Sequence, residues 1–195
     1  VRGCHCGDVD QGRALLRPWL EWQPPIVDLF RPMPFAEVAA VSQDPVDPIA
    51  AAVTGAWLRD LGEEVIDTLI DFGIAKDGPP QLTSTEVRYI AGALNRVDAD
   101  ASAFGNRSAR FVLGLVGLAP TPEALALGQQ HGRRFKEALK LHLDGVYPNF
   151  VEGDEARAAA ALAFSPAHRR RLSEVKARYD PRWLFDFSYE IPPAA

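Results

Sequence analysis

Two polar residues of complementary chemistry, Tyr147 and Asn149, lie two positions apart in a short, mainly apolar segment that follows a long helical pattern. We predict a strand over residues 146–151, in which these two side chains share one face and Pro148 and Phe150 share the other. A phenol beside an amide offers donors and acceptors suited to the edge of a planar heterocycle. A Tyr-Asn pair that satisfies backbone groups at the end of a strand explains the same spacing, and spacing alone favours that structural role.

The two cysteines, Cys4 and Cys6, flank His5 near the start of the chain. In an extended segment both thiols lie on one face. A disulfide across so short a loop would be strained, and structural zinc sites normally have wider ligand spacing. We therefore predict two buried, reduced thiols and no metal site, with the cytoplasm as the default compartment.

The rest of the sequence offers little independent chemistry. It contains no glycine-rich phosphate loop, no Gly-x-Ser-x-Gly turn and no His-Glu-x-x-His zinc motif. Two pairs of acids are best explained as helix caps and turns: Asp8 with Asp10, and Asp98 with Asp100. The net charge is −5, and no apolar run approaches the ~20 residues that cross a bilayer, so we expect neither a nucleic acid nor a membrane as partner.

The first quarter of the chain is expected to be largely irregular. A short helix capped by Asp8 or Asp10 should end at Pro18, with Leu15 facing inward. The proline-rich stretch over residues 24–48 should lack regular structure, because each proline also restricts the residue before it. Its large apolar side chains predict that it packs against a surface.

The remaining residues predict an α+β fold, an antiparallel sheet covered by helices on one face. Helical stripes run over residues 63–73 and 122–143, and strands are predicted over 86–94 and 110–118, the second being central because it is apolar on both faces. Gly128 and Gly132 predict close packing of the second helix. Two further helices follow, the last ending at Asp180, and an aromatic tail after it should be packed down.

Four stretches in this order resemble the C-terminal half of berberine bridge enzyme-like FAD oxidases, within the vanillyl-alcohol oxidase superfamily. The family's glycine-alanine strand pair, its Tyr-x-Asn-Phe segment and its closing Lys-x-x-Tyr-Asp-Pro segment are all similar to motifs here. The matching stretches are residues 58–67, 91–107, 146–150 and 176–181.

The resemblance implies that this chain is the substrate side of a two-domain flavoenzyme. Residues 1–143 would form the substrate-binding domain and residues 144–195 the berberine-like C-terminal segment, which packs on an FAD-binding domain that this chain lacks. FAD would be the cofactor, held mainly by that missing domain in cis or on a separate chain. A small organic substrate would pass a hydride to the flavin, with dioxygen as acceptor.

The resemblance also implies roles for individual residues. Tyr147 would act as the catalytic base, and Tyr147 and Asn149 would contact the flavin. Arg96 and Phe150 would line the substrate pocket. A phenol acts as a base only when its oxygen is deprotonated, which a nearby positive charge favours, and Arg96 is the candidate for that charge.

Several positions depart from the family's pattern. Phe150 stands where some sugar-oxidising members have a tyrosine base, and Arg96 stands where plant alkaloid enzymes have a glutamate. Asn106 replaces the usual histidine, Pro148 replaces an aliphatic residue and predicts an edge or a bulge, and Ser188 replaces an asparagine. These departures leave an alternative open: a catalytically silent α+β binding or interaction domain that no longer uses flavin.

Overall fold

A computed structural model describes residues 2–186 and 189–194, the side chain of Ala160 excepted, and Ser188 therefore lies outside the described residues. The chain divides into two compact units, residues 1–48 and residues 49–195. No helix in the described part of the chain is both long enough and apolar enough to cross a membrane.

The first unit contains one long helix, α1 (Val9–Trp22), which begins at the side chain of Asp8. The Asp8 carboxylate accepts hydrogen bonds of 3.0 Å from two backbone amides of the first turn, as predicted. The prediction that Pro18 ends the helix is wrong, since α1 continues four residues past it. The prediction that Leu15 faces inward is also wrong, since α1 has no buried residue among those described and Leu15 is exposed.

The other predictions for the first unit are mixed. Cys4 and Cys6 are free, with their sulfur atoms 3.9 Å apart, but both are exposed, so the prediction of buried thiols is wrong. The hydrogen bond with Cys6 raises the pKa of the Cys4 thiol. Residues 24–48 are mostly irregular, as predicted, apart from a 3₁₀ turn at Phe35–Glu37 and the four-residue helix α2 (Ala39–Ser42).

The apolar side chains of the proline-rich stretch do not pack as predicted. Ile26, Val27 and Phe35 are largely exposed. Ile26 and Val27 lie in backbone without regular structure, where the neighbouring prolines disfavour a helix or strand that would gather apolar side chains on one face, and Phe35 begins the short 3₁₀ turn.

The second unit is built on a three-stranded antiparallel sheet in the order β1 (Ala51–Leu58), β3 (Phe111–Leu118), β2 (Ser84–Tyr89). The prediction that β3 is central is confirmed. β2 ends at Tyr89, earlier than predicted, because Gly92 has a φ of 89° and turns the backbone into a 3₁₀ turn at Leu94–Arg96.

Two helices cover one face of this sheet, as predicted: α3 (Glu63–Gly73) and α4 (Pro122–Ala138). The main core forms between them and the sheet, and its buried members include Leu58, Leu113 and Phe135. A Cβ atom on Gly132 would lie 2.8 Å from Thr54 Cγ2, which confirms the predicted close approach of α4 to β1.

The helix α4 ends about one turn earlier than predicted because residues 142–145 leave it to run along the outer edge of β1. The amides of Trp57 and Arg59 donate to the carbonyls of Gly145 and His142, at 3.1 Å and 3.0 Å. The amide of Asp144 returns a 2.9 Å hydrogen bond to the carbonyl of Trp57. These bonds satisfy an edge that would otherwise be open.

Two further helices follow, α5 (Gly153–Ala163) and α6 (Pro166–Tyr179). The predicted end of α6 at Asp180 is confirmed. The prediction of a packed tail is wrong for Leu184 and Phe185, whose side chains are exposed. Their backbone amides are nevertheless fixed, because both donate to the Asp180 carboxylate, at 2.7 Å and 3.1 Å.

Candidate functional site

The face of the sheet opposite α3 and α4 carries a cluster of aromatic rings. Side chains alternate between faces along a strand, so Trp57 points away from the core that contains its neighbour Leu58. Trp57 packs edge to face against Phe104, at 5.7 Å between ring centroids, and against Tyr147, at 4.9 Å. Its indole nitrogen donates a 3.0 Å hydrogen bond to the carbonyl of Val146, which fixes the start of the candidate segment.

The segment itself is a turn, and the prediction of a strand over residues 146–151 is wrong. Pro148–Phe150 form a 3₁₀ turn, closed by a 3.0 Å hydrogen bond from the Phe150 amide to the Tyr147 carbonyl. Pro148 opens the turn, a position that needs no donor amide, and residues 142–145 already occupy the edge of β1 that a strand would need. The predicted edge or bulge at Pro148 is therefore also wrong.

The turn still brings Tyr147 and Asn149 together. The Asn149 amide nitrogen donates a 3.1 Å hydrogen bond to the Tyr147 hydroxyl oxygen. The Tyr147 ring is half-buried among aromatic rings, whereas Asn149 is exposed. The prediction that Phe150 lies on the face opposite to Tyr147 is wrong. The Phe150 ring packs against the Tyr147 ring, with 4.9 Å between the ring centroids.

Phe150 rests on two glycines that face each other in neighbouring strands. Gly55 of β1 is the register partner of Gly114 of β3. A Cβ atom on Gly55 would lie 2.7 Å from Phe150 Cβ, and one on Gly114 would lie 3.1 Å from Phe150 Cε2. The absence of both side chains lets the ring lie flat on the sheet, with the Arg88 guanidinium 5.0 Å from its centroid.

A second phenol, Tyr189, closes the other side of the turn. Its hydroxyl donates to the carbonyl of Pro148, and its ring packs edge to face against Phe164 at 6.1 Å. Burial, and then the neighbouring Tyr147, raise the pKa of Tyr189 above its ordinary value. Tyr189 therefore stays protonated at neutral pH and acts as a donor.

These rings border a cavity of about 220 Å³, whose polar groups come mainly from Tyr147, Asn149 and Tyr189. Pockets that enclose a drug-sized ligand have volumes of roughly 300–1,000 Å³. The cavity is smaller than that and partly open, so it can enclose only part of such a ligand.

Two polar networks hold the turn in place. The Lys136 ammonium of α4 donates to Thr54 of β1 at 2.6 Å and pairs with the Glu155 carboxylate of α5, which ties the helix after the turn to the sheet. On the other side, the Asn106 amide donates to the carbonyl of Asp144. Asn106 has a φ of 55°, a left-handed conformation that asparagine tolerates better than most residues.

Arg96 is not brought to this cavity. It is exposed in the 3₁₀ turn Leu94–Arg96 and is not among the residues that line the cavity. The structure thus joins Tyr147 with Asn149 and Phe150, but of the predicted site residues only Tyr147 and Asn149 line the cavity.

The sequence reading missed four residues of the site. Gly55 and Gly114 could have been noticed as glycines inside two strand patterns, which often mark close approach of another group. Trp57 carried no local signal, because its contacts depend on the tertiary fold. Tyr189 lies in the aromatic tail that was predicted to pack, but nothing local indicated its contact with Pro148.

No protein-family model and no curated protein sequence matches this chain. Solved structures do match. A variant of BBE-like 1 from Physcomitrella patens is 14% identical with a TM-score of 0.73, and the match covers 97% of this chain and 43% of that chain.

Two further matches are described as sugar oxidoreductases. Phl p 4.0202, a glucose dehydrogenase, is 14% identical with a TM-score of 0.60, and the match covers 74% of this chain and 33% of that chain. A glycopeptide hexose oxidase complexed with teicoplanin is 21% identical with a TM-score of 0.57, and covers 76% and 33%.

The chain therefore has the α+β fold found in BBE-like proteins, and the resemblance inferred from its motifs is confirmed at the level of the fold. It spans less than half the length of each of these three chains.

Proposed function

We propose that this chain forms the substrate side of an FAD-dependent oxidoreductase that oxidises a small organic substrate. The observation that carries the proposal is the polar pair of Tyr147 and Asn149, held 3.1 Å apart at the border of a small, partly open cavity. The similarity in fold to a glucose dehydrogenase and a hexose oxidase makes a sugar the first substrate class to test.

The residues present fit the edge of a flavin. Its ring system is planar and has donors and acceptors along one edge, which a hydroxyl and an amide can match. Exposed Asn149 is the residue to bind that edge, and half-buried Tyr147 borders the substrate. When bound, FAD supplies the acceptor for a hydride and passes electrons on to dioxygen. An FAD-binding domain, in cis or on a separate chain, is the partner that would cover the open side of the cavity.

The two phenols of the cavity have different roles in this proposal. Tyr189 is committed to the Pro148 carbonyl, and its raised pKa keeps its proton in place. Tyr147 accepts from Asn149 and is the phenol we assign to proton transfer with the substrate. Phe150 packs against the Tyr147 ring and is assigned to an apolar part of the substrate that extends beyond the cavity. Arg96, which does not line the cavity, is assigned to the outer part of the substrate.

The test is anaerobic flavin reduction by a panel of sugars in the natural protein that contains this chain. Tyr147→Phe should slow reduction by about 100-fold, the scale of a lost acid-base group, while the exposed control Tyr179→Phe should not change it. Equal rates in Tyr147→Phe and the unmodified protein would remove Tyr147 from the chemistry.

A second candidate function, a silent binding domain without flavin, is favoured by Asn106 and Pro148. Both depart from the resembled family, and both have structural tasks here, one holding Asp144 and the other opening the turn. The two candidates differ in a simple observation. The natural protein purifies with a flavin spectrum if the first is right and without one if the second is right.

A further inference from the structure

A second cavity, of about 570 Å³, is a wide surface depression that is more open than the first and has a different character. Its lining includes Gly92, Asn95, Arg107, Ser108 and Arg110. Its volume is within the roughly 300–1,000 Å³ of ligand pockets. Two guanidinium groups on one cavity are unexpected in a chain whose net charge is −5.

Neither arginine has a counter-ion in the part of the chain that the structure describes. The Arg107 guanidinium donates to the Leu94 carbonyl at 3.4 Å and to the Ser102 hydroxyl at 2.9 Å, and its Nε is buried without a partner. Arg110 lies 5.8 Å from the ring centroids of Tyr89 and Phe111 and forms no ion pair with a described carboxylate. Arg107 is half-buried, and a partly buried charge without an opposite charge is costly, so its site favours an anion. Arg110 is exposed and adds a second positive charge at the rim.

Local contacts hold this cationic site in shape. The Asn95 amide donates to the carbonyls of Arg107 and Ala109, which fixes the backbone on both sides of Ser108. The Arg107 guanidinium also stacks on the Phe104 ring, at 5.1 Å from its centroid. Two acids, Asp98 and Asp100, flank the lining residue Ala99. The Asp98 carboxylate accepts the Asp100 amide at 2.8 Å, and the Asp100 carboxylate lies 3.5 Å from the His168 ring nitrogen.

We propose that this cavity binds a small oxyanion, a carboxylate or phosphate group of a ligand, through Arg107 and Arg110. A guanidinium has five N–H donors in a planar fork that matches both groups. Two of the five N–H groups of Arg107 have partners, so the terminal ones that remain can donate to a ligand. This site is separate from the cavity at Tyr147, which Phe104 lines, and the two meet where the Arg107 guanidinium lies on the Phe104 ring.

The proposal is tested on the full chain by titration with inorganic phosphate and, separately, with acetate, reading the arginine Nε–H signals by NMR. Sodium chloride at matched ionic strength controls for screening. We expect saturable shifts with at least one oxyanion, and the one that binds more tightly identifies the ligand group as phosphate or carboxylate. Shifts that chloride reproduces, or no shifts with either oxyanion, would overturn the proposal.

Variants locate the site. Arg110→Gln, an exposed position, should weaken binding by about tenfold or more, which is the effect of one lost charge-assisted hydrogen bond. Arg134→Gln, which removes one positive charge from an exposed position of α4, should leave binding unchanged. Arg107→Gln should abolish binding while the backbone spectrum stays folded. Equal binding in Arg110→Gln and Arg134→Gln would contradict the assignment.

Discussion

Replacing Gly114 by alanine tests how the site is built, because the three atoms nearest to the added methyl group all belong to the Phe150 ring. Its Cβ would lie 3.1 Å from Phe150 Cε2 and 3.4 Å from Cδ2, so the ring must move by a few tenths of an ångström. Overpacking of this kind costs about 1–3 kcal/mol. Against this, alanine in a strand is favoured over glycine by about 0.5–1 kcal/mol through the unfolded state.

The two effects separate in a double-mutant cycle with Phe150→Ala. In the presence of the ring, Gly114→Ala should lower the free energy of unfolding. In the Phe150→Ala background the clash is gone, and the same change should raise that free energy by about 0.5–1 kcal/mol. The coupling energy between the two positions should therefore be about 1–3 kcal/mol, measured by urea unfolding.

Gly55→Ala provides the internal control. A Cβ atom there would lie 2.5 Å from the backbone carbonyl oxygen of Leu113 as well as 2.7 Å from Phe150 Cβ. Removal of the ring leaves the backbone clash, so Gly55→Ala should destabilise the protein in both backgrounds. Equal effects of Gly114→Ala with and without the Phe150 ring would refute the packing of that ring on the paired glycines.

Three further predictions concern single groups. The hydrogen bond from Lys176 lowers the pKa of Asp180. The ionised Asp180 carboxylate therefore stabilises the fold at pH values above its unfolded-state pKa of about 3.9, and this stabilisation is lost as the pH falls through its folded-state pKa. Urea unfolding of Asp180→Asn should thus differ from the unmodified protein at neutral pH and converge with it in acid; a constant difference would contradict this. Burial raises the pKa of Tyr189. The protonated phenol therefore contributes its full stabilisation at pH values below its unfolded-state pKa of about 10, and this stabilisation is lost as the pH rises through its folded-state pKa. Tyr189→Phe should remove a late-titrating phenol from the absorbance titration, and loss of an early one would be the wrong result. Thr121→Ala should lower the free energy of unfolding by about 1 kcal/mol and Thr121→Ser by much less, because the Thr121 hydroxyl accepts the Ala124 amide at 3.2 Å; equal losses would exclude that cap.

Local signals account for the elements that were predicted well. The Thr121 hydroxyl, followed by Pro122 at the first helical position, correctly predicts the start of α4, and the Asp8 cap correctly predicts the start of α1. The apolar run of β3 indicated a central strand, because its two faces both need cover. Each of these signals depends on neighbours in sequence.

The shape of the site could not be predicted because it depends on distant partners. The segment around Tyr147 and Asn149 has the alternating pattern of a strand. Residues 142–145, however, already pair with the edge of β1, so this segment has no free strand edge to pair with. The Phe150 ring can pack on the sheet because Gly55 and Gly114 are in register in neighbouring strands. The sequence of neither strand alone reveals that pairing. The pairing of Tyr147 with Asn149 was predicted, but a turn and not a strand produces it.

The visible absorption spectrum of flavin in the natural protein tests most directly whether the Tyr147–Asn149 pair meets a flavin. Asn149→Leu should shift that spectrum or release the flavin, because it removes the exposed amide assigned to the ring edge. Gln129→Leu, which removes a side-chain amide from an exposed position of α4, should leave the spectrum unchanged. Identical spectra for the unmodified protein and Asn149→Leu, or a natural protein that purifies without flavin, would contradict the account.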